Sequence, residues 1–153
     1  MAGRIREEHV TKALLQWLID SQWEIICFDF PQSGTGKVLH PDNTNSKTEG
    51  AIIPDIVAIK GTTVVDFENK DRFVQEDFDK VAYIRGTSVY DRDFAKLLKG
   101  RSYNQIYYGI GMPFSASNYE KAMSEIDKVD FLFFLKEDGC FDIVDKPGHI
   151  FDL

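Results

Sequence analysis

The residues of this chain best suited to chemistry are two carboxylates and a lysine at a fixed spacing. Pro54-Asp55 is followed, after twelve intervening residues, by Glu68-Asn69-Lys70. Both stretches read as strands, Pro54-Asp55 in the middle of one and Glu68-Asn69-Lys70 near the end of the next. Residues two apart on a strand face the same side, so Glu68 and Lys70 project together while Asn69 points away. If the two strands pair as a hairpin, Asp55 reaches the same edge. Two carboxylates meeting at one point repel unless a divalent cation lies between them, and Mg²⁺ is the usual oxygen-liganded ion. A lysine beside it can orient or deprotonate a water, or neutralise charge developing on a phosphate. Glu68-x-Lys70 is the only acid-x-Lys triplet in the sequence, and the other Pro-Asp, Pro41-Asp42, sits among Asn and Thr as turn chemistry.

A third carboxylate stands upstream. Glu7 lies three residues before Val10 and seven before Leu14, on the apolar face of a first helix, where a charge is costly unless partnered. Glu8, about 100° further round the helix, is the weaker candidate. Bland readings compete: an Asp55–Lys70 surface ion pair, a solvated Glu68 at a strand end, and Glu7 as an acid favoured by the helix macrodipole.

The elements that must position these groups follow from periodicity. Arg4 to Gln22 carries Val10, Ala13, Leu14, Trp17 and Leu18 at helical spacing, and Glu24 to Phe30 is a β-branched and aromatic strand ended by Pro31. Gln32 to Gly50 is a long polar loop. Ala51 to Lys60 and Thr62 to Lys70 are two strands joined at Lys60-Gly61-Thr62 as an antiparallel hairpin. Helical pattern returns over Phe73 to Arg85 and Asp91 to Lys99. A strand over Gln105 to Ile110 precedes a helix over Ser115 to Lys128, with Ser115 or Ser117 as N-cap. Asp130 to Lys136 and Cys140 to Val144 close the chain as a hairpin about Asp138-Gly139. The order predicts one α/β domain over residues 1–153, a mixed β-sheet flanked by helices with a C-terminal hairpin.

Other motifs carry less. Ser33-Gly34-Thr35-Gly36-Lys37 resembles a phosphate loop but fails the Walker pattern, since Pro31 stands at the first Gly position and Val38 follows the lysine. No nucleotide cofactor is expected, although the amides of this loop and Lys37 could approach a backbone phosphate. His9, His40 and His149 share no metal-ligand spacing. Arg72, Lys80, Arg85, Arg92, Lys96, Lys99 and Arg101, interleaved with Tyr83, Tyr90 and Tyr103, form the main basic cluster; a solvated helical face is the default reading and phosphate contact the sharper one.

Composition sets the frame. With 153 residues, 43% hydrophobic and 13% aromatic, the chain can build a core, which excludes disordered and collagen-like classes. Apolar runs such as Phe131 to Leu135 are too short to cross a bilayer and residues 1–9 show no signal region, so a cytoplasmic protein is expected. Cys27 and Cys140 lie in apolar stretches without metal spacing, and both are expected reduced and buried. The net charge of −7 is uneven: residues 119–153 hold 4 basic and 9 acidic groups, residues 60–118 hold 9 and 8. That balance argues against non-specific coating of nucleic acid but leaves room for a local site.

The PD-x12-ExK pattern across a hairpin resembles the PD-(D/E)XK nuclease superfamily. The likeness extends upstream: Gly3, Glu7, Ser33-Gly34, Pro54-Asp55 and Glu68-Asn69-Lys70 are similar, in that order, to archaeal Holliday junction resolvases, over residues 3 to 72. The resemblance implies a restriction endonuclease-like core of order α-β-β-β-α-β and a Mg²⁺-dependent DNA endonuclease, Mn²⁺ serving as a substitute. Asp55, Glu68 and the Asn69 carbonyl would hold the metal, Lys70 would activate the attacking water, and Glu7 would support a second ion or a bridging water. Ser33, Lys37, Arg72 and Lys80 would contact DNA, and a homodimer would serve two strands. A site-specific, restriction-like enzyme is the first expectation; a junction resolvase is the alternative, and an inactive binding or assembly module of the same fold the next.

Overall fold

The computed structural model describes residues 6–29, 39 and 51–151. Gly3, Ser33, Gly34 and Lys37 therefore lie outside the described residues. The first helix, α1, spans Glu7–Asp20, shorter than its periodicity predicts. It ends where Gln22 takes a left-handed φ of 69° and the Trp23 N–H turns back to the Leu18 carbonyl. Val10, Leu14 and Leu18 are fully buried along one stripe.

Six strands follow: β1 (Glu24–Phe28), β2 (Ile56–Lys60), β3 (Thr63–Asn69), β4 (Gln105–Pro113), β5 (Phe131–Leu135) and β6 (Phe141–Asp145). They form one mixed sheet in the order β1-β2-β3-β4-β5-β6, parallel between β3 and β4 and between β4 and β5, and antiparallel elsewhere. The parallel steps are bridged by α2 (Gln75–Gly86) with α3 (Asp91–Leu97), and by α4 (Ala116–Ser124). Ser115 caps α4, its Oγ accepting the Asn118 N–H at 3.0 Å.

Strand alternation sorts the core onto two faces. Ile56, Ala58, Val65, Phe67, Phe131 and Phe133 face α1 and the C-terminal Phe151. Val57, Ile59 and Val64 face Phe94 of α3 and Leu98 just after it, while Ile110, Met112, Leu132 and Phe134 face Phe78 and Val81 of α2 and Ala122 of α4. On the α1 face the rings of Phe67, Phe131, Phe133 and Phe151 meet edge-on or tilted at 4.8–6.4 Å, the contact geometry aromatic quadrupoles favour.

Three expectations change. The strand predicted from Ala51 begins only at Ile56, because Ile52 leaves the sheet to bridge Leu39 through two backbone hydrogen bonds of 2.6 and 2.8 Å and Pro54 has no N–H to donate. Asp55 thus occupies a bend at the strand entrance rather than mid-strand. The strand predicted to stop at Ile110 continues to Pro113, since Gly109 and Gly111 serve close packing rather than a turn: a Cβ on Gly109 would lie 2.2 Å from the Phe131 ring. Cys27 is buried as expected, but Cys140 is exposed, in the β5–β6 hairpin whose Glu137-Asp138-Gly139 loop places Gly139 at φ +86°. Among the described residues no helix is long and apolar enough to cross a membrane.

The two glycine environments give a paired test. Gly109→Ala drives a methyl into a rigid buried ring and is expected to destabilise by about 2 kcal/mol or more. Gly86→Ala, at the end of α2 with open space around it, is expected to gain roughly 0.5 kcal/mol from helix propensity and a less flexible unfolded chain. Urea unfolding of both variants measures the difference.

Candidate active site

The β2–β3 hairpin brings the two sequence-predicted carboxylates together. Ile56 pairs with Phe67, so the next position outward sets Asp55 beside Glu68. Ile56 and Phe67 face α1, so Asp55 and Glu68 face α2. Asp55 is held on three sides: its N–H donates to the Phe67 carbonyl at 3.2 Å, its carbonyl accepts the Asp29 N–H at 2.8 Å, and its Oδ2 accepts the Asn69 N–H at 2.7 Å. Only 9% of Asp55 is exposed.

Glu68 is not solvated at a strand end. Its side chain is largely buried and Oε1 lies 3.1 Å from the Lys80 Nζ of α2. No Asp55–Lys70 ion pair forms among the described residues; the lysine in contact with the acid pair is Lys80. Asn69 points away as expected, its amide reaching across to α1, where Nδ2 donates to Thr11 Oγ1 at 3.0 Å. Thr11 stands one helical turn beyond Glu7, so this bond fixes the start of α1 against the end of β3.

Glu7 and Glu8 are distinguished clearly. Glu8 forms an exposed i,i+4 pair with Lys12 at 2.7 Å, whereas Glu7 is half-buried. Burial pushes the Glu7 carboxyl above its ordinary value; Lys70 opposes the rise and Asp71 and Asp77 add to it. Glu7 and Lys70 therefore share the end of β3 with the acid pair. Arg72 lies at the rim, exposed and paired with Asp71 at 2.7 Å.

Two further acids belong to the cluster, and neither was singled out from the sequence. Asp66, two residues before Glu68 on the same face, is buried at 7% exposure. Asp77, in the first turn of α2, is also buried, and among the described residues its Oδ2 has no hydrogen-bond partner. The one sequence signal was an acid on a strand interior, at Asp66, where an apolar residue belongs. The contribution of Asp77 depends on how α2 packs, which no local pattern contains.

Desolvation dominates the electrostatics. Burial first, and then the neighbouring charge of Glu68, push Asp55 up to about 8, against a partial opposing effect of the Asn69 hydrogen bond. Glu68 is raised by burial and held back chiefly by Lys80. Asp66 is pushed well above the usual carboxylate range by burial and by Glu68 and Asp55. Desolvation lowers Lys80, but Glu68, Asp55 and Asp77 together carry it above its ordinary value.

A hard divalent cation fits this donor set. Mg²⁺ takes one or two carboxylates and completes its octahedron with water and substrate phosphate. Asp55 and Glu68 supply the two, and Asp77 adds negative charge that both Glu68 and Glu7 feel. Among the described residues no three His, Cys, Asp or Glu side chains close round one point as a protein-only cage would, so such an ion would keep a largely aqueous shell.

The rest of the basic cluster disperses. Arg85 pairs with Asp130 at 3.0 Å, Lys96 lies 3.9 Å from Asp93, and Arg101 pairs with Glu24. A cavity of about 530 Å³ lined by Thr87, Asp91, Tyr103, Asn104 and Gln105 opens at the other end of β4, away from the acids. No family model, curated protein or solved structure matches the chain.

The raised carboxyl at Asp55 has a signed consequence. Its proton is retained in the folded state and lost in the unfolded chain above about 3.8, so the associated stability is present below that pH and lost as pH rises through about 8. Asp55→Asn keeps an acceptor for the Asn69 N–H without the charge. It is expected to raise the metal-free Tm near pH 8 by roughly 5 °C, the size of a 1–2 kcal/mol gain in a domain of this length, and to leave Tm nearly unchanged at pH 4. Differential scanning calorimetry at the two pH values checks it; a lower Tm at pH 8 would show that the carboxylate stabilises the fold.

Proposed function

We propose that the chain is a Mg²⁺-dependent DNA endonuclease of the PD-(D/E)XK type, restriction-like in action. The observation that carries this reading is the pairing of Asp55 and Glu68 across the β2–β3 hairpin, buried side by side, with Lys70 and Glu7 at the same strand end. The element order supports it: α1, β1, β2 and β3, then α2 and α3, then β4 parallel to β3, the order α-β-β-β-α-β expected of a restriction endonuclease-like core, with one added helix.

The roles follow from placement. Asp55 and Glu68, with the Asn69 carbonyl between Glu68 and Lys70, would hold the ion, and Glu7 would anchor a water or second ion from the start of α1. When bound, the ion supplies Lewis-acid stabilisation of charge on the phosphate and the leaving oxygen. Lys70 orients the attacking water and takes or shares its proton. The Asn69 N–H keeps Asp55 in one rotamer, and the Thr11–Asn69 bond keeps Glu7 in register with it. The amino ends of α2 and α4 follow the carboxyl ends of two adjacent parallel strands, the side of such sheets where anionic ligands bind. Ser33, Lys37 and Arg72 remain the candidate DNA contacts, while Lys80, expected among them, lies 3.1 Å from Glu68 Oε1 instead; two strands would require a homodimer or two successive cuts.

Purified protein incubated with plasmid and with a four-way junction, each with and without Mg²⁺, tests the reading. Discrete plasmid fragments dependent on Mg²⁺ are expected. Symmetric nicks in the junction alone would assign resolution instead, and binding without cleavage would assign an inactive module. Glu68→Gln and Asp55→Asn are expected to reduce single-turnover cleavage by at least about 10³-fold, the scale of lost transition-state charge stabilisation. Glu7→Gln is expected to lose activity substantially while Glu8→Gln stays near wild type. Full cleavage by the Glu68 variant would overturn the assignment.

A further inference from the structure

Removing the proposed cation from such a site should leave two buried carboxylates repelling one another, yet here an ammonium already stands among them. Lys80 Nζ sits 3.1 Å from Glu68 Oε1. Its charge opposes that of Asp55, Asp66, Glu68 and Asp77, with Lys70 adding to it at Glu68 and acting more strongly at Asp77. Its stem projects from the second turn of α2, and its side chain is 38% exposed against 14% for Glu68, so the ammonium reaches inward from a position with an open way out. A small cavity lined by Pro54, Asp66, Glu68, Lys80 and Tyr108, with room for about one water, adjoins the pair.

We infer that Lys80 is a tethered placeholder cation, which occupies Glu68 when no divalent ion is bound and must leave that carboxylate for the ion to enter. The inference rests on the metal-site reading above. A divalent cation would approach a carboxylate oxygen to about 2.1 Å. An ammonium left on the same carboxylate would repel it across a few ångströms of weakly screened space. A lysine suits the exchange, because its charge is a compact point on a flexible four-carbon stem rather than a rigid fork. Asp66, on the same face and lining the same cavity, offers the displaced ammonium a second carboxyl within the strand spacing of two residues. The device keeps the acid pair folded and neutralised before loading, at the expense of cation affinity. It makes Lys80 a positioning residue, distinct in task from Lys70.

Isothermal titration with Mn²⁺ alone, without DNA and at one fixed pH for every variant, tests the exchange. Lys80→Met preserves the stem and removes the charge. It is expected to bind Mn²⁺ about tenfold more tightly than wild type while its metal-free Tm falls, and the gain is expected to vanish in the Lys80→Met/Asp55→Asn double variant. Lys80→Arg, which keeps a cation in place, is expected to stay near or below wild-type affinity. Wild-type binding with equal or weaker affinity in folded Lys80→Met would overturn the inference alone and make Lys80 a permanent counter-ion. Absence of Mn²⁺ binding from every form would overturn both the inference and the metal-site reading. Should Lys80→Met not fold, the wild-type protein decides: the ¹³Cε resonance of Lys80 is expected to shift on Mg²⁺ titration with the midpoint of cation binding, and an unmoved resonance overturns the inference.

Discussion

Everything at the carboxyl end of β3 answers to one constraint, the placing of several carboxylates out of water and close together. Taking an ionised carboxyl from water is costly, and a second one nearby adds repulsion. The chain offsets this locally with the Asn69 N–H on Asp55 and the Lys80 ammonium on Glu68. It offsets the rest at a distance, through the aromatic cluster under α1. Phe67, one residue from Glu68 in the same strand, is fully buried among Phe131, Phe133 and Phe151. Each large core side chain contributes about 1.5–3 kcal/mol on burial, so a strand anchored this way can hold its opposite-facing carboxylates where they would not choose to be.

Alternation along β3 makes the division possible. Val65, Phe67 and Asn69 point to α1 while Val64, Asp66 and Glu68 point to the opposite side, covered by α2 and α3, so one face of the strand stabilises the fold and the other carries the charge. Asn69 joins the two tasks: its backbone N–H orients Asp55 and its side chain grips Thr11 on the opposite face. Among the described residues its Oδ1 has no partner in the interior, an expense of about 1–3 kcal/mol tolerated where placement matters more than stability. Gly111 is part of the same arrangement, since a Cβ there would lie 2.6 Å from that oxygen and 2.8 Å from Leu14, pushing α1 off the strand end.

Local patterns made much of this legible. The helical stripe of Val10, Leu14 and Leu18 placed Glu7 inward and Glu8 outward, and the short turn at Gly61 fixed a hairpin whose register puts Asp55 next to Glu68. The periods of 3.6 and 2 carry that information within a few residues. What could not be read depends on contacts distant in sequence. The Lys80 charge looked like part of a solvated basic face because nothing near it in the chain shows that α2 turns it towards β3. Asp77 was invisible for the same reason. The bend at Asp55 arises from a bridge between Ile52 and Leu39, and β4 runs on past Ile110 because Gly111 leaves room for Asn69 and Leu14, residues far from it in the chain.

The overall acidity bears on how such a site would meet a polyanion. Affinity for duplex backbone comes from cations that replace condensed counterions, and here Arg85, Lys96 and Arg101 already face Asp130, Asp93 and Glu24. Those pairs tie three of the chain's cations to its own acids. On the nuclease reading, attraction to phosphate at the end of β3 comes from Lys70, Arg72, the first-turn amides of α2 and α4, and the divalent ion itself. A protein built this way binds substrate weakly until the ion is present, because the ion converts a repelling acid cluster into an attracting one. Cation and substrate then become coupled ligands of a single site, each raising the affinity of the other by the same factor.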